Sequence, residues 1–279
     1  MKNSSQLFIK KWTRMGVTLC LCGALTCVAS DDKREAEFAA DIQKTLNFGH
    51  AVWLETPGKK FLSLYTDTAK NSRHGVVILL HDTGGNPNQQ AIIKPLRTFF
   101  PEHHWATLSI QLPVREADAA VQDYYALFPE AKARLVAAIN FAKTEKAEKI
   151  VVIGYGLGGL MASYTLSEKI ADVNALVTIS LPVPETSDLT AQTLRFMPKL
   201  TLPMLDIYGA SDLPNVVNSA RERQVAGKIN SNYQQVKIDD EGHLYLHDEG
   251  LLVKRIYSWI DKITNRNTTE SLQSQEQGK

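Results

Sequence analysis

Six short runs of apolar and β-branched residues recur along the middle of the chain, and they constrain its fold more than any other feature. They are residues 75–80, 105–110, 149–153, 175–180, 203–208 and 233–238. Several are apolar without alternation, which is typical of parallel strands covered on both faces. The segments between them have the apolar spacing of helices. The pattern predicts an α/β protein with a doubly wound, mostly parallel sheet and flanking helices.

The segments on either side of these runs complete the predicted fold. Residues 31–48 have apolar positions at helical spacing, which predicts a leading helix. Residues 51–55 and 61–65 alternate enough to form an antiparallel pair of strands, joined through the turn dipeptide Pro57-Gly58. A last helix is expected over residues 252–263, where the apolar side chains share one helical face that packs on the core.

The length of 279 residues suits one α/β domain, expected over residues 31–264. Within this domain, residues 118–144 could hold an insertion, and Pro129 would interrupt its helical pattern. Residues 265–279 are polar and have no apolar period, which predicts a disordered tail.

The first thirty residues have the order of an export signal. Cations come first, and an apolar stretch follows at residues 16–29, which is short for a bilayer span. Small residues at Val28-Ala29-Ser30 would permit cleavage. We therefore expect a signal peptide over residues 1–30 and a periplasmic product with no stable membrane span; an uncleaved anchor and a lipoprotein are the alternatives. All three cysteines lie inside this segment, so cleavage would leave no thiol.

The charge balance excludes one class of partner. Lysine and arginine number 31 against 30 aspartate and glutamate residues. A chain this close to neutrality offers no broad positive field to a polyanion. Nucleic acid is therefore not an expected partner.

A glycine-rich turn follows the run at residues 149–153 and reads Gly154-Tyr155-Gly156-Leu157-Gly158. A tight strand-to-helix turn needs small residues around a strained centre. This turn resembles that of the α/β-hydrolase fold, where Gly-x-Ser-x-Gly presents a nucleophile. The resemblance covers residues 50–262. Within it, residues 105–113 and 203–208 look like those of a bacterial branch without assigned function, whose elbow also tends to carry glycine.

The resemblance implies a role for several residues. Asp212 follows the predicted strand at residues 203–208 and corresponds to the acid of a catalytic triad, and His243 corresponds to its histidine. The loop beginning at His81 is similar to the one that lends a backbone N–H to the oxyanion hole, and Leu157 would lend the other. The residues expected around the oxyanion hole and pocket are His81, Asp82, Thr83, Gly84, Tyr155 and Leu157.

Gly156 stands where the fold carries its serine, and a hydrogen side chain cannot attack a carbonyl carbon. Two hypotheses follow. The preferred one is a non-catalytic pseudo-hydrolase that holds a small molecule, lipid or peptide in the former pocket; a comparable loss occurs in the N-myc downstream-regulated branch of the fold. The alternative is a hydrolase acting through water activated by His243 and Asp212. A substitute hydroxyl could also serve there, from Ser109, Ser163 or Ser180.

Each site residue also has a structural interpretation. His243 can be a hydrogen-bonded loop histidine, Asp212 a helix N-cap, and His81 a ligand of its own loop's backbone. Glycine at position 156 can simply relieve a strained backbone.

Two cofactor interpretations are disfavoured. The spacing of Gly154, Gly156 and Gly159 matches a dinucleotide fingerprint, but it comes after several strands and no acid ends the next one. Acids and histidines at residues 239–248 give only a weak metal pattern. We expect no cofactor and no metal.

Overall fold

The computed structural model describes residues 30–168 and 172–277, with side chains as far as Thr264. The predicted signal peptide therefore lies, apart from Ser30, outside the described residues. Within the described ranges, no helix is both long and apolar enough to cross a membrane.

An eight-stranded sheet forms the centre of the molecule, in the order β1-β2-β4-β3-β5-β6-β7-β8. Its strands are β1 (His50–Thr56), β2 (Lys59–Thr66), β3 (Gly75–Leu80), β4 (Trp105–Ile110), β5 (Ile150–Tyr155), β6 (Ala175–Ile179), β7 (Met204–Ser211) and β8 (Tyr233–Gly242). The pairs β1/β2 and β2/β4 are antiparallel, and every other pair is parallel. The predicted α/β class, with its mostly parallel sheet, is confirmed.

Helices cover both faces of the sheet. The α-helices are α1 (Asp32–Thr45), α2 (Ile93–Phe99), α3 (Phe128–Thr144), α4 (Leu157–Leu166), α5 (Thr193–Phe196), α6 (Pro214–Val217), α7 (Ala220–Gly227) and α8 (Leu251–Gln277). Short 3₁₀ helices span Phe100–His103, Val121–Leu127, Leu189–Ala191 and Met197–Lys199. All residues of β3, β4 and β5 are buried, as apolar runs without alternation require. One hydrophobic cluster lies on each face of these strands.

Two segments differ from the sequence-based expectation. Pro129 occupies the first turn of α3, where its missing N–H has no helical partner to lose, so it begins a helix rather than breaking an insertion. The last helix, α8, continues through residues 265–277, for which the sequence predicts a tail outside any element. No glycine or proline interrupts that stretch before Gly278.

A buried ion pair holds the leading helix α1 against the rest of the domain. The Asp31 side chain caps its first turn by accepting from the Arg34 backbone N–H at 3.0 Å. Glu35 forms a two-pronged pair with the fully buried Arg134 of α3, with both N–O distances at 3.0 Å. The Arg34 guanidinium reaches the carbonyl of Gly84 at 3.2 Å. Helix α1 thereby supports the loop that follows β3.

Strands β7 and β8 run further than the apolar runs that predicted them, and this places the site. Their pairing includes a register shift after Gly209 and then sets Ser211 opposite Gly242. The residues that follow the two strands, Asp212 and His243, are therefore neighbours at the carboxyl edge of the sheet. Ligands bind at this edge in open α/β sheets.

Candidate functional site

The turn between β5 and α4 has the strained backbone of a nucleophile elbow. Gly156 has φ +53° and ψ −121°, a region that residues with a side chain rarely adopt. The residues two positions away on either side are glycine because other atoms lie too close: a Cβ on Gly154 would be 2.5 Å from Cα of Gly159. A Cβ on Gly158 would come within 3.0 Å of the His81 carbonyl oxygen. Close packing thus accounts for Gly154 and Gly158, and the positive φ accounts for Gly156, without a bound dinucleotide.

His243 and Asp212 form the histidine–acid pair of the site. Nδ1 of His243 lies 2.8 Å from Oδ1 of Asp212, whose side chain is buried. The same carboxylate accepts hydrogen bonds from the Leu213 N–H at 2.7 Å and from the Ser180 hydroxyl. These contacts hold the carboxylate behind the imidazole in a fixed orientation.

The carboxylate of Asp82 occupies the space in front of the histidine, where the fold holds its nucleophile. Its Oδ1 accepts the Leu157 backbone N–H at 2.7 Å, and its Oδ2 lies 2.9 Å from Nε2 of His243. A Cβ built on Gly156 would come within 3.0 Å of both carboxylate oxygens and the carbon between them. Gly156 and Asp82 are therefore complementary, because a side chain at the elbow and this carboxylate cannot share the space.

Two carboxylates on one imidazole decide its protonation. Burial alone would lower the pKa of His243, but hydrogen bonds to Asp212 and Asp82 outweigh it and raise that pKa to about 9. Burial acts against ionisation of Asp212, and the hydrogen bonds from His243 and Ser180 prevail to hold its pKa below the usual range. At neutral pH His243 is therefore an imidazolium ion that donates one N–H to each carboxylate.

His81 lies inside the loop and acts on its backbone. Its side chain is buried, and Nε2 accepts the Leu112 backbone N–H at 2.9 Å. Nδ1 therefore carries the ring hydrogen and donates a hydrogen bond to the carbonyl of Asp82 at 2.8 Å. Burial lowers the pKa of His81 to about 4, so the ring is neutral. His81 fixes the turn that aims the Asp82 carboxylate at the elbow.

The other residues expected around the pocket also have internal partners. The Thr83 hydroxyl lies 3.3 Å from Oδ1 of Asp82. Gly84 has φ +64°, and its carbonyl accepts from α1 as described above. The Tyr155 hydroxyl donates to the carbonyl of His243 at 3.0 Å, and its ring lies 5.0 Å from the imidazole.

The three serines considered as substitute nucleophiles are all fully buried. Ser109 donates to the Pro87 carbonyl at 2.7 Å, and Ser163 donates to the Gly159 carbonyl at 2.9 Å. The Ser180 hydroxyl binds Asp212, behind the imidazole. The structure therefore places none of these hydroxyls against Nε2 of His243.

The cavity that adjoins the elbow is small. The cavity beside Asp82 and Leu157 measures about 10 Å³, which is about the minimum that one water molecule requires. The side chains of His243 and Asp82 are only 19% and 16% exposed. A much larger cavity, of about 660 Å³, lies elsewhere on the molecule and is described below.

No group of three or more His, Cys, Asp or Glu side chains within the described ranges is arranged to hold a metal ion. In the segment that carried the weak metal pattern, the contact between His247 Nδ1 and Glu241 Oε2 is 3.8 Å long.

Comparisons with known proteins agree with this architecture. The family described as "Protein of unknown function (DUF3530)" matches residues 26–133 and 128–262. No curated protein matches the chain. Among solved structures, the esterase Pf2001 of Pyrococcus furiosus is similar, with a TM-score of 0.64 and 19% identity over 78% of this chain and 92% of that one.

Two further solved structures have the same fold. Est1E from Butyrivibrio proteoclasticus has a TM-score of 0.61 and 17% identity, over 76% of this chain and 98% of that one. Dienelactone hydrolase from Anabaena variabilis has a TM-score of 0.60 and 20% identity, over 76% and 96%. At these identities the likeness establishes the fold alone, which is that of the α/β hydrolases.

The contacts of the Asp82 side chain in the site were not predicted from the sequence. The resemblance gave its loop a backbone role, whereas the structure uses its carboxylate. One signal was present: an acid two residues after a central strand lies at the same sheet edge as the elbow, and a glycine elbow leaves room there.

Proposed function

The chain belongs to the family of unknown function DUF3530, and from its hydrolase-like fold we propose that it is a non-catalytic, binding or scaffolding pseudo-hydrolase. One observation carries the proposal. The Asp82 carboxylate accepts hydrogen bonds from both the His243 imidazole and the Leu157 backbone N–H. A single side chain thereby engages the groups that would serve as base and as oxyanion donor.

The same contacts argue against hydrolysis by activated water. A general base must be unprotonated and must reach the proton of the attacking water. His243 is protonated at neutral pH and directs Nε2–H toward Asp82. An oxyanion would also have to displace a carboxylate from Leu157, against the repulsion of like charges. Asp82, His243 and Asp212 form a closed ion triad.

We expect the purified protein to hydrolyse p-nitrophenyl acetate and butyrate no faster than a His243→Ala variant between pH 6 and 8. No elbow hydroxyl exists, and the imidazole is held protonated. Release of nitrophenolate, followed by absorbance, measures the rates. Turnover by the wild type that disappears in His243→Ala would overturn the proposal, because it would require a working base.

We also propose that the protein is exported to the periplasm. The support is the order of cations, short apolar stretch and small residues within the first thirty positions. Full-length protein expressed in a Gram-negative host is expected in the osmotic-shock fraction, with a new N-terminus near Asp31. Intact mass and N-terminal sequencing check this. An uncleaved chain recovered with membranes or cytoplasm would contradict it.

A further inference from the structure

The larger cavity lies beside Asp212, at the same carboxyl edge of the sheet. Its volume of about 660 Å³ is in the range that small-molecule sites occupy. Its walls come from three places: the 3₁₀ helix Val121–Leu127, the loop at residues 183–185 after β6, and residues 214–222 after β7. We call it the acidic groove.

The acidic groove is connected to the triad through the backbone. The Val183 N–H donates to the Asn215 carbonyl at 2.9 Å, which joins the loop after β6 to α6. Asp212 lies two residues before Pro214 of the groove, and the Ser180 that binds Asp212 lies three residues before Val183. The groove therefore lies next to the closed ion triad, and none of the three triad residues lines it.

Charge in the acidic groove has one sign. The side chains of Glu185 and Glu222 line it, both are exposed, and neither forms an ion pair within the described part of the chain. None of the described residues that line the groove is lysine or arginine. Two uncompensated carboxylates at one cavity attract a cation and repel carboxylate or phosphate ligands.

Neutral groups in the acidic groove suit the rest of such a ligand. The amide side chains of Gln122, Asn215 and Asn218 make no hydrogen bond within the described part of the chain, so their carbonyls can accept N–H groups. Apolar surface is contributed by Val183 and Pro184, among other residues. This combination fits a positively charged end on an aliphatic chain.

We propose that the acidic groove binds an organic cation, an alkyl amine or guanidinium compound, through the carboxylates of Glu185 and Glu222. The inference rests on the proposed binding function and names its ligand class. A free amine and the side chain of a basic peptide share this chemistry, and the test separates them.

The test uses three probes with the same five-carbon chain: pentane-1,5-diamine, pentane-1,5-diol and glutarate. Binding to the full chain is measured by calorimetry and by ligand-observed NMR. We expect saturable binding of the diamine alone. The isosteric double variant Glu185→Gln/Glu222→Gln is expected to weaken it about tenfold or more, since each carboxylate contributes Coulombic attraction. A blocked lysine tripeptide, titrated in parallel, shows whether a free or a peptide-borne amine binds more tightly.

The matched control is Glu148→Gln/Glu249→Gln, which removes two exposed acids outside the acidic groove. It should change diamine affinity by less than about twofold, because neither carboxylate lines the groove and both are exposed to screening by solvent and salt. Three outcomes would overturn the proposal that the groove binds an organic cation: no diamine binding, equal binding of all three probes, or an equal loss of affinity in the control variant. That outcome is separate from the function proposed above, which fails only on ester turnover that depends on His243.

Discussion

Serine at the elbow is expected to give no esterase activity while Asp82 is present. In Gly156→Ser the new Cβ would fall within 3.0 Å of the Asp82 carboxylate, so the loop after β3 or the elbow must move. The positive φ of Gly156 adds strain, of order 1–3 kcal/mol for a residue with a side chain. We therefore expect a less stable protein, without gain of turnover on p-nitrophenyl esters.

Removing the carboxylate together with the glycine is expected to reverse this. In Asp82→Ala/Gly156→Ser the serine has space, Nε2 of His243 is released to it, and the Leu157 N–H is free for an oxyanion. General base and oxyanion contributions of about 10² or more each predict ester turnover at least about 10²-fold above either single variant.

The control for this gain is the triple variant that adds His243→Ala. It keeps the serine and the vacated space but lacks the base, so it should return to background. Equal activity in the double and triple variants would mean that the serine does not use His243. Activity in Gly156→Ser alone, at the level of the double variant, would show that Asp82 does not block the elbow.

The sequence was sufficient for the sheet because its strands are buried on both faces. Residues 75–80 and 105–110 are apolar without alternation, and β3 and β4 occupy those bounds. It was less informative where pairing extends a strand beyond its apolar run. Strands β7 and β8 continue to Ser211 and Gly242 through mutual hydrogen bonds that polar residues can also make.

The positions of Asp212 and His243 at one sheet edge could be predicted from the sequence, since each residue follows a strand. The Asp82 contact was not predictable, because it depends on how three distant segments meet. His81 turns the Asp82 backbone, Leu112 fixes His81, and the elbow leaves a void of the right size. Periodicity and local motif carry no information on such a three-way contact. The position of the acidic groove depends in the same way on loops that follow separate strands.

Alkaline pH is expected to destabilise the fold through His243. A group whose pKa is raised on folding stabilises the protein below its unfolded pKa, and that contribution disappears as pH rises through the folded value. For His243 the unfolded value is about 6.5 and the folded value about 9, so the loss falls between about pH 7 and 10. Its size is about 2–3 kcal/mol in the free energy of unfolding.

Urea unfolding of the wild type and of His243→Gln at pH 7 and pH 10 measures this contribution. The difference between the two proteins in free energy of unfolding should shrink by about 2–3 kcal/mol on going to pH 10, because other titrating groups cancel in the comparison.

An NMR titration of the imidazole should have its midpoint near 9, and Asp82→Asn should lower that midpoint by removing one of the two carboxylates. Asp239→Asn, at an exposed acid elsewhere on β8, should leave it unchanged. A wild-type midpoint near 6.5, or a stability difference independent of pH, would mean that Asp82 and Asp212 do not hold His243 protonated. In that case the base would be available at neutral pH, and the main argument against catalysis would fail.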